Sequence, residues 1–225
     1  MDKLSYLNKL YYHLNDQRDF YLQFQDKRND IFYKKRSFTS LFFDNNEPKE
    51  VQKKNLWYIN KANARTILSS EICIDYDIER GIMGDGLWRL FKGQVRQYLM
   101  SDQAKAFYLK TAPFGLIFDT SSSGYHTHLF NKKLLRMSYN QRVSLRLDIF
   151  KDAYLDLQDW ALVNNFEFYE LLNERVMFEL NGRSVWQQRL KIDNQLHSEK
   201  VTINLEFATH WKTGKKKELI RKIKN

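Results

Sequence analysis

The sequence has little of what staples or punctuates a chain. Cys73 is the 1 cysteine in 225 residues. It excludes an intramolecular disulfide and a cysteine-based zinc site, so no zinc is expected. Standing in an apolar stretch, Cys73 reads as a small buried hydrophobe. Prolines number 2 and glycines 8, so each glycine marks a place to look for a turn. No apolar run reaches the roughly 18 residues that a membrane span requires. The first residues, MDKLSYLNKLYYHL, lack the apolar core of a secretion signal. The expectation is an intracellular, soluble protein with no membrane partner. Acid is the scarcer charge: 27 Asp and Glu stand against 37 Lys and Arg, a net charge of +10. That balance favours a polyanionic partner such as nucleic acid; an ordinary basic surface is the plainer alternative.

What is present suits a packed domain. A chain of this length buries roughly 70–75% of its unfolded surface, so it needs no covalent staples. Aromatic residues, 15% of the chain, can serve a large core or base stacking. Helical spacing is expected over residues 3–14. Alternation predicts strands at 20–24 and 31–33, joined by a polar turn. A loop surrounds Pro48, and 56–61 reads as a strand. Residues 67–77 form a strand that leaves through the glycine-rich RGIMGDG. Residues 88–109 read as helix, and 114–130 as strand, polar turn and strand. Two helices are expected over 131–165. Residues 166–181 fit a helix, with strand as the alternative. Strands are expected at 190–194 and 200–210, and a short basic helix at 212–225. There are no repeats and no linker. The reading is one α+β domain, mixed sheets flanked by helices, over residues 1–225 with a basic tail.

The strand EICIDYDIERG, residues 71–81, carries the first chemical signal. Residues two apart in a strand face the same way, roughly 6.6 Å apart. Asp75 and Asp77 therefore share a face, where two unpaired carboxylates repel. A divalent cation relieves that, and carboxylate oxygens suit Mg²⁺ or Mn²⁺. Two ions about 4 Å apart support phosphoryl transfer. A strand end reaching solvent is the bland reading of the same pattern. TSSSGYHTHLF, residues 120–130, places Ser121, Ser122, Ser123 and Gly124 before His126. Backbone N–H groups in such a turn can cradle phosphate, and an imidazole can donate to it. His126 and His128 share a strand face, so a metal pair is the rival idea; a structural His128 is the plainer one. Asp193 ends a short apolar strand and fits a third carboxylate ligand. His210, Lys212, Thr213 and Gly214 make a basic turn suited to a triphosphate, or simply a charged surface turn.

Taken in order, IDYD, TSSSGYH, KID, VT and ATHWKTG resemble the small catalytic subunit of archaeal and eukaryotic DNA primases. The resemblance extends upstream through RDFYLQFQDKRNDIFYKKRSF and downstream through LLRMSYNQR, and covers roughly residues 10–216. It implies the archaeo-eukaryotic primase core and a metal-dependent nucleotidyltransferase that starts RNA chains on single-stranded DNA. Asp75, Asp77 and Asp193 would hold Mg²⁺ or Mn²⁺. Ser121, Ser122, Ser123, His126, His210, Lys212 and Thr213 would grip the nucleoside triphosphate, with Lys34 near the initiating nucleotides. Implied partners are the template, the RNA/DNA primer and a primase large subunit, at the site of DNA replication. The chain departs from the family pattern in several places. Ser122 and Ser123 stand where basic residues are frequent. Asn204 replaces a usual Lys or Arg, and Glu206 a proline. Lys215, Lys216, Lys217 or a partner are the candidates to compensate. Further readings are a stand-alone primase-polymerase using deoxynucleotides, a weakened nucleic-acid-binding subunit of the same fold, and a metal-dependent nuclease.

Overall fold

A computed structural model describes residues 20–25, 31–36, 60–78, 84–180, 183–204, 206 and 215–224. The expected helix at 3–14, the loop at Pro48 and residues 80–83 of the glycine-rich exit lie outside the described residues; the end of that exit is not loop, since Gly84 is an N-cap and Asp85 and Gly86 open a helix. The fold is α+β, with antiparallel sheets and helices.

Strands β1 (Phe20–Gln25), β2 (Ile31–Arg36), β3 (Asn60–Thr66) and β10 (Thr202–Asn204) form one sheet in the order β10-β3-β1-β2. A second sheet runs β11-β5-β6-β4-β9. Its strands are β4 (Glu71–Ile78), β5 (Phe114–Asp119), β6 (Gly124–Phe130), β9 (Leu190–Ile192) and β11 (Glu218–Lys224). A separate hairpin pairs β7 (Arg175–Leu180) with β8 (Arg183–Gln188).

Alternation in β4 assigns its two faces. Ile72, Ile74, Tyr76 and Ile78 are buried in the hydrophobic cluster that includes the helices. Glu71, Cys73, Asp75 and Asp77 take the opposite face. Helix α1 (Asp85–Met100) contributes Phe91, Val95, Tyr98 and Leu99, a stripe at helical spacing. The helix expected over 88–109 breaks at Ser101. That residue is extended, and its side chain caps α2 (Asp102–Thr111) by accepting from the Ala104 N–H at 3.1 Å. Of the two helices expected over 131–165, the first is only a 3₁₀ turn at Lys132–Arg136. The second, α3 (Tyr139–Asn164), begins with a Ser138/Gln141 capping box. Residues 166–181 satisfy both readings: α4 (Phe166–Asn173) is capped by Asn165, and β7 follows.

The basic tail is a strand, not a helix. β11 pairs antiparallel with β5 and buries Ile223 completely. Leu219, Ile220 and Ile223 fit either period, and the ladder offered by β5 decides for strand. Of the strand expected at 200–210, Thr202–Asn204 is strand, whereas Lys200, Val201 and Glu206 lie in turns or bends and the rest falls outside the described residues.

Gly124 is where β6 comes hard against β4. A Cβ there would sit 1.9 Å from the carbonyl oxygen of Tyr76 and 2.9 Å from its carbonyl carbon. Backbone cannot step aside as a side chain can. Gly124→Ala is expected to cost about 3 kcal/mol or more, lowering the melting temperature by roughly 6–12 °C. A melt within about 2 °C of the parent would contradict this close approach.

Candidate functional site

The register of the second sheet assembles the site. His126 of β6 lies opposite Asp75 of β4. On the other side of β4, Tyr76 faces Ile192 and Asp77 faces Lys191. One step further along that register, Asp193 comes opposite Asp75, and its N–H donates to the Asp75 carbonyl at 3.1 Å. Phe118 of β5 completes the row beside His126. Residues paired across antiparallel strands project to the same side. The row Phe118, His126, Asp75 and Asp193 therefore presents a ring, an imidazole and two carboxylates together.

Three of them, Asp75, His126 and Asp193, open onto a cleft of about 620 Å³, a size that takes a small-molecule ligand. Asp75, His126 and Asp193 line it from the second sheet and the end of β9. Thr66, Thr202, Ile203 and Asn204 line it from the first sheet, and Gln195 and Lys200 complete it. Arg146 anchors the segment that carries Asp193. Fully buried in α3, it donates to the carbonyls of Leu68, Glu71 and His197 at 2.9–3.1 Å and pairs with Glu199 at 3.0 Å. Asp193 in turn caps the 3₁₀ turn Asn194–His197, its Oδ1 accepting from the Gln195 N–H at 2.9 Å.

Behind the cleft runs a buried chain of charge. The Arg65 guanidinium binds both Glu71 oxygens at 2.7 Å and reaches Glu206 at 2.5 Å. All three side chains are fully buried. Burial alone would raise both carboxyls, but Arg65 overrides it. Glu71 is held well below the usual carboxylate range and Glu206 falls to about 2. Lys217 Nζ lies 2.8 Å from His126 Nδ1 and 3.0 Å from the Asn204 carbonyl oxygen. Burial lowers its pKa to about 8. His126 Nε2 lies 3.4 Å from Asp75 Oδ2. Burial and then Lys217 push the His126 pKa down. For Asp75, burial pulls upward, but His126 and Lys217 outweigh it and leave the carboxyl below its ordinary value.

The remaining sequence-predicted residues fall elsewhere. Asp77 shares the face of Asp75 but is engaged by Ser123, whose hydroxyl donates to Asp77 Oδ1 at 2.8 Å. Three N–H groups of the serine turn are engaged locally. Asp119 Oδ1 accepts from Ser121, and Thr120 Oγ1 accepts from Ser122 and Gly124. Ser121 donates to the Lys216 carbonyl, and Lys92 of α1 reaches the Ser122 carbonyl and Asp119. Ser121, Ser122 and Ser123 do not line the cleft. Lys34 sits in β2 opposite Leu22. His210, Lys212 and Thr213 lie outside the described residues.

Sequence reasoning missed Arg65, Lys92 and Gln195. Glu206, read there as a departure, is the counter-ion of Arg65. Of the three lysines that are candidates to compensate for missing cations, Lys217 is the one that reaches His126. Ala64 and Thr66 on either side give no sequence signal for Arg65; a pairing 141 residues away in the chain makes it intelligible.

Glu71, Cys73 and His128 also stand together. Their potential ligand atoms lie within 4.8 Å of one another, so this buried group could hold a metal ion. Here the Glu71 carboxylate is engaged by Arg65, by the Leu68 N–H and by His128. Among the described residues no helix is long and apolar enough to cross a membrane. Comparison of the chain with protein-family models, with curated proteins and with solved structures finds no match.

Proposed function

We propose that this cleft carries out divalent-metal nucleotidyl transfer and that the protein makes short RNA primers on single-stranded DNA. One observation supports this most: Asp75, His126 and Asp193, singled out at distant points of the sequence, line one cleft. The donor set fits Mg²⁺ or Mn²⁺, being carboxylate oxygen at a partly solvated edge. Asp75 is 22% exposed, enough to meet an ion that keeps some of its water. Asp75 and Asp193 would hold the ions, with Asp77 on the same strand face. The bound ions supply charge neutralisation for in-line displacement at phosphorus.

The chain's own residues do the rest. His126 donates to a phosphate oxygen from the wall of the cleft. Lys200 and Lys217 lower the cost of bringing a polyanion there. Thr66, Thr202 and Gln195 offer hydroxyl and amide groups for the nucleotide. Rate enhancement then comes from positioning and electrostatics. The net charge of +10 favours the template, with an affinity that falls as salt rises.

A second reading is a binding subunit of the same fold with weakened chemistry. Its support is the engagement of the turn N–H groups by Asp119 and Thr120. One assay separates the two. Primer synthesis is measured on single-stranded DNA with Mg²⁺ or Mn²⁺, comparing ribonucleotides with deoxynucleotides. The control is Asp75→Ala/Asp77→Ala. Metal-dependent product absent from the control is expected, and a preference for deoxynucleotides would point to a primase-polymerase. DNA binding with no product under either metal would sink the catalytic reading.

A further inference from the structure

We propose that Lys217 is a positioning residue for His126, holding its ring in the tautomer whose Nε2–H faces Asp75 and the cleft. The argument is one of donors and acceptors. The Lys217 ammonium can only donate. It is fixed by the Asn204 carbonyl at 3.0 Å and stands 5.5 Å from the centre of the Phe118 ring. Glu206 and Asp75 act on its charge, and it stands 2.8 Å from His126 Nδ1. That nitrogen therefore carries the lone pair. The proton of the neutral ring is left on Nε2, which lies 3.4 Å from Asp75 Oδ2. At 3.4 Å that carboxylate favours an N–H over a lone pair but is too far to fix it alone, so Lys217 sets the tautomer. Lys217 is 3% exposed and His126 7%, so little water competes for either nitrogen.

His128, two residues along the same strand face, has the opposite arrangement. Its Nδ1 lies 2.7 Å from Glu71 Oε1, a carboxylate that only accepts. Arg65, a donor, also stands 3.3 Å from this Nδ1, but the carboxylate is the nearer by 0.6 Å and sets the proton there; among the described residues the buried Nε2 has no hydrogen-bond partner. A cation fixes one ring and an acid fixes the next. The use of the His126 tautomer rests on the nucleotide-transfer reading: Nε2–H donates to a phosphate oxygen, whereas a bare Nε2 lone pair would repel it.

The test is long-range ¹H–¹⁵N spectroscopy of the full chain labelled at histidine nitrogen, at pH 7. His126→Gln and His128→Gln identify the two rings. Pyridine-type Nδ1 with pyrrole-type Nε2 is expected for His126, and the reverse for His128. An Nδ1–H ring at His126 in the parent protein overturns the proposal without any variant. In Lys217→Met the His126 signals are expected to move toward the other tautomer, with His128 unchanged as the check on folding. Lys217→Arg, which keeps a donor, is expected to restore them. An unchanged His126 pattern in folded Lys217→Met removes the role of Lys217. Under the nucleotide reading, Lys217→Met also raises the nucleotide KM roughly tenfold. If the tautomer shifts while nucleotide affinity stays put, the positioning role stands and the nucleotide reading fails.

Discussion

Arg65→Met is expected to destabilise the protein by about 3–5 kcal/mol. At 2–4 °C per kcal/mol for a chain of this size, the melting temperature falls by on the order of 10 °C. The Arg65 side chain is fully buried and meets two fully buried carboxylates. Methionine fills a similar volume but leaves Glu71 and Glu206 facing each other without their main counter-ion. The loss comes from those orphaned acids rather than from the net worth of the ion pairs.

Acid titration gives this prediction a distinctive sign. In the parent, both carboxyl pKa values are depressed, Glu206 from 4.5 to about 2 and Glu71 in the same direction. A depressed acid contributes its stability above the unfolded-state value and loses it as pH falls through the folded value. The parent should therefore weaken between about pH 4.5 and 2. Without Arg65, burial dominates and raises both carboxyls, although Lys217 remains near Glu206. A raised acid costs stability at high pH and recovers it on protonation. Arg65→Met should thus gain stability as pH falls from 8 toward 5, on the order of the interval such raised carboxyls span. Melting curves across that range check the point. Parallel pH profiles for parent and variant would show that Arg65 does not hold the two acids in their charged forms.

Asp193→Asn is expected to leave the fold standing and remove metal-dependent synthesis. Asparagine keeps a carbonyl oxygen that can accept from the Gln195 N–H, so the 3₁₀ turn retains its cap. What it loses is the charge. Removing one anionic ligand from a metal site costs several kcal/mol of transition-state stabilisation, so turnover should fall about a thousandfold. Asp193→Ala loses the cap as well and should cost about 1 kcal/mol of stability in addition. Melting temperature and primer yield are to be read on both variants. Undiminished synthesis by folded Asp193→Asn would exclude Asp193 from the metal set, leaving Asp75 without its cross-strand partner in the chemistry.

Several local features follow from residue type and spacing. The period of two in EICIDYD places Asp75 and Asp77 on one strand face, opposite Ile72, Ile74 and Tyr76. That alternation is intrinsic to an extended backbone. The caps at Ser138, Asn165 and Asp193 are residues that satisfy exposed helix N–H groups from their own side chains. Gly124 was visible as a turn marker, though its requirement comes from the backbone of Tyr76.

Local pattern failed where two periods fit. The tail residues Leu219, Ile220 and Ile223 suit a helix, and the edge of β5 makes them a strand. Ser101 looked like one polar position in a long helix; in the structure it ends α1 and caps α2.

The site itself divides in the same way. The sequence by itself determined its chemical inventory: carboxylates, imidazoles and lysines placed at strand ends and turns, where local geometry lets them project. Only the tertiary structure decided which of them meet. The antiparallel register sets Asp193 opposite Asp75 and His126 on the other side. It sends Asp77 to Ser123, and it brings Lys217 back over 91 residues to His126. The physical reason is range. Capping and alternation act within a few residues, whereas pairing between strands is chosen by the total burial and hydrogen bonding of the whole sheet.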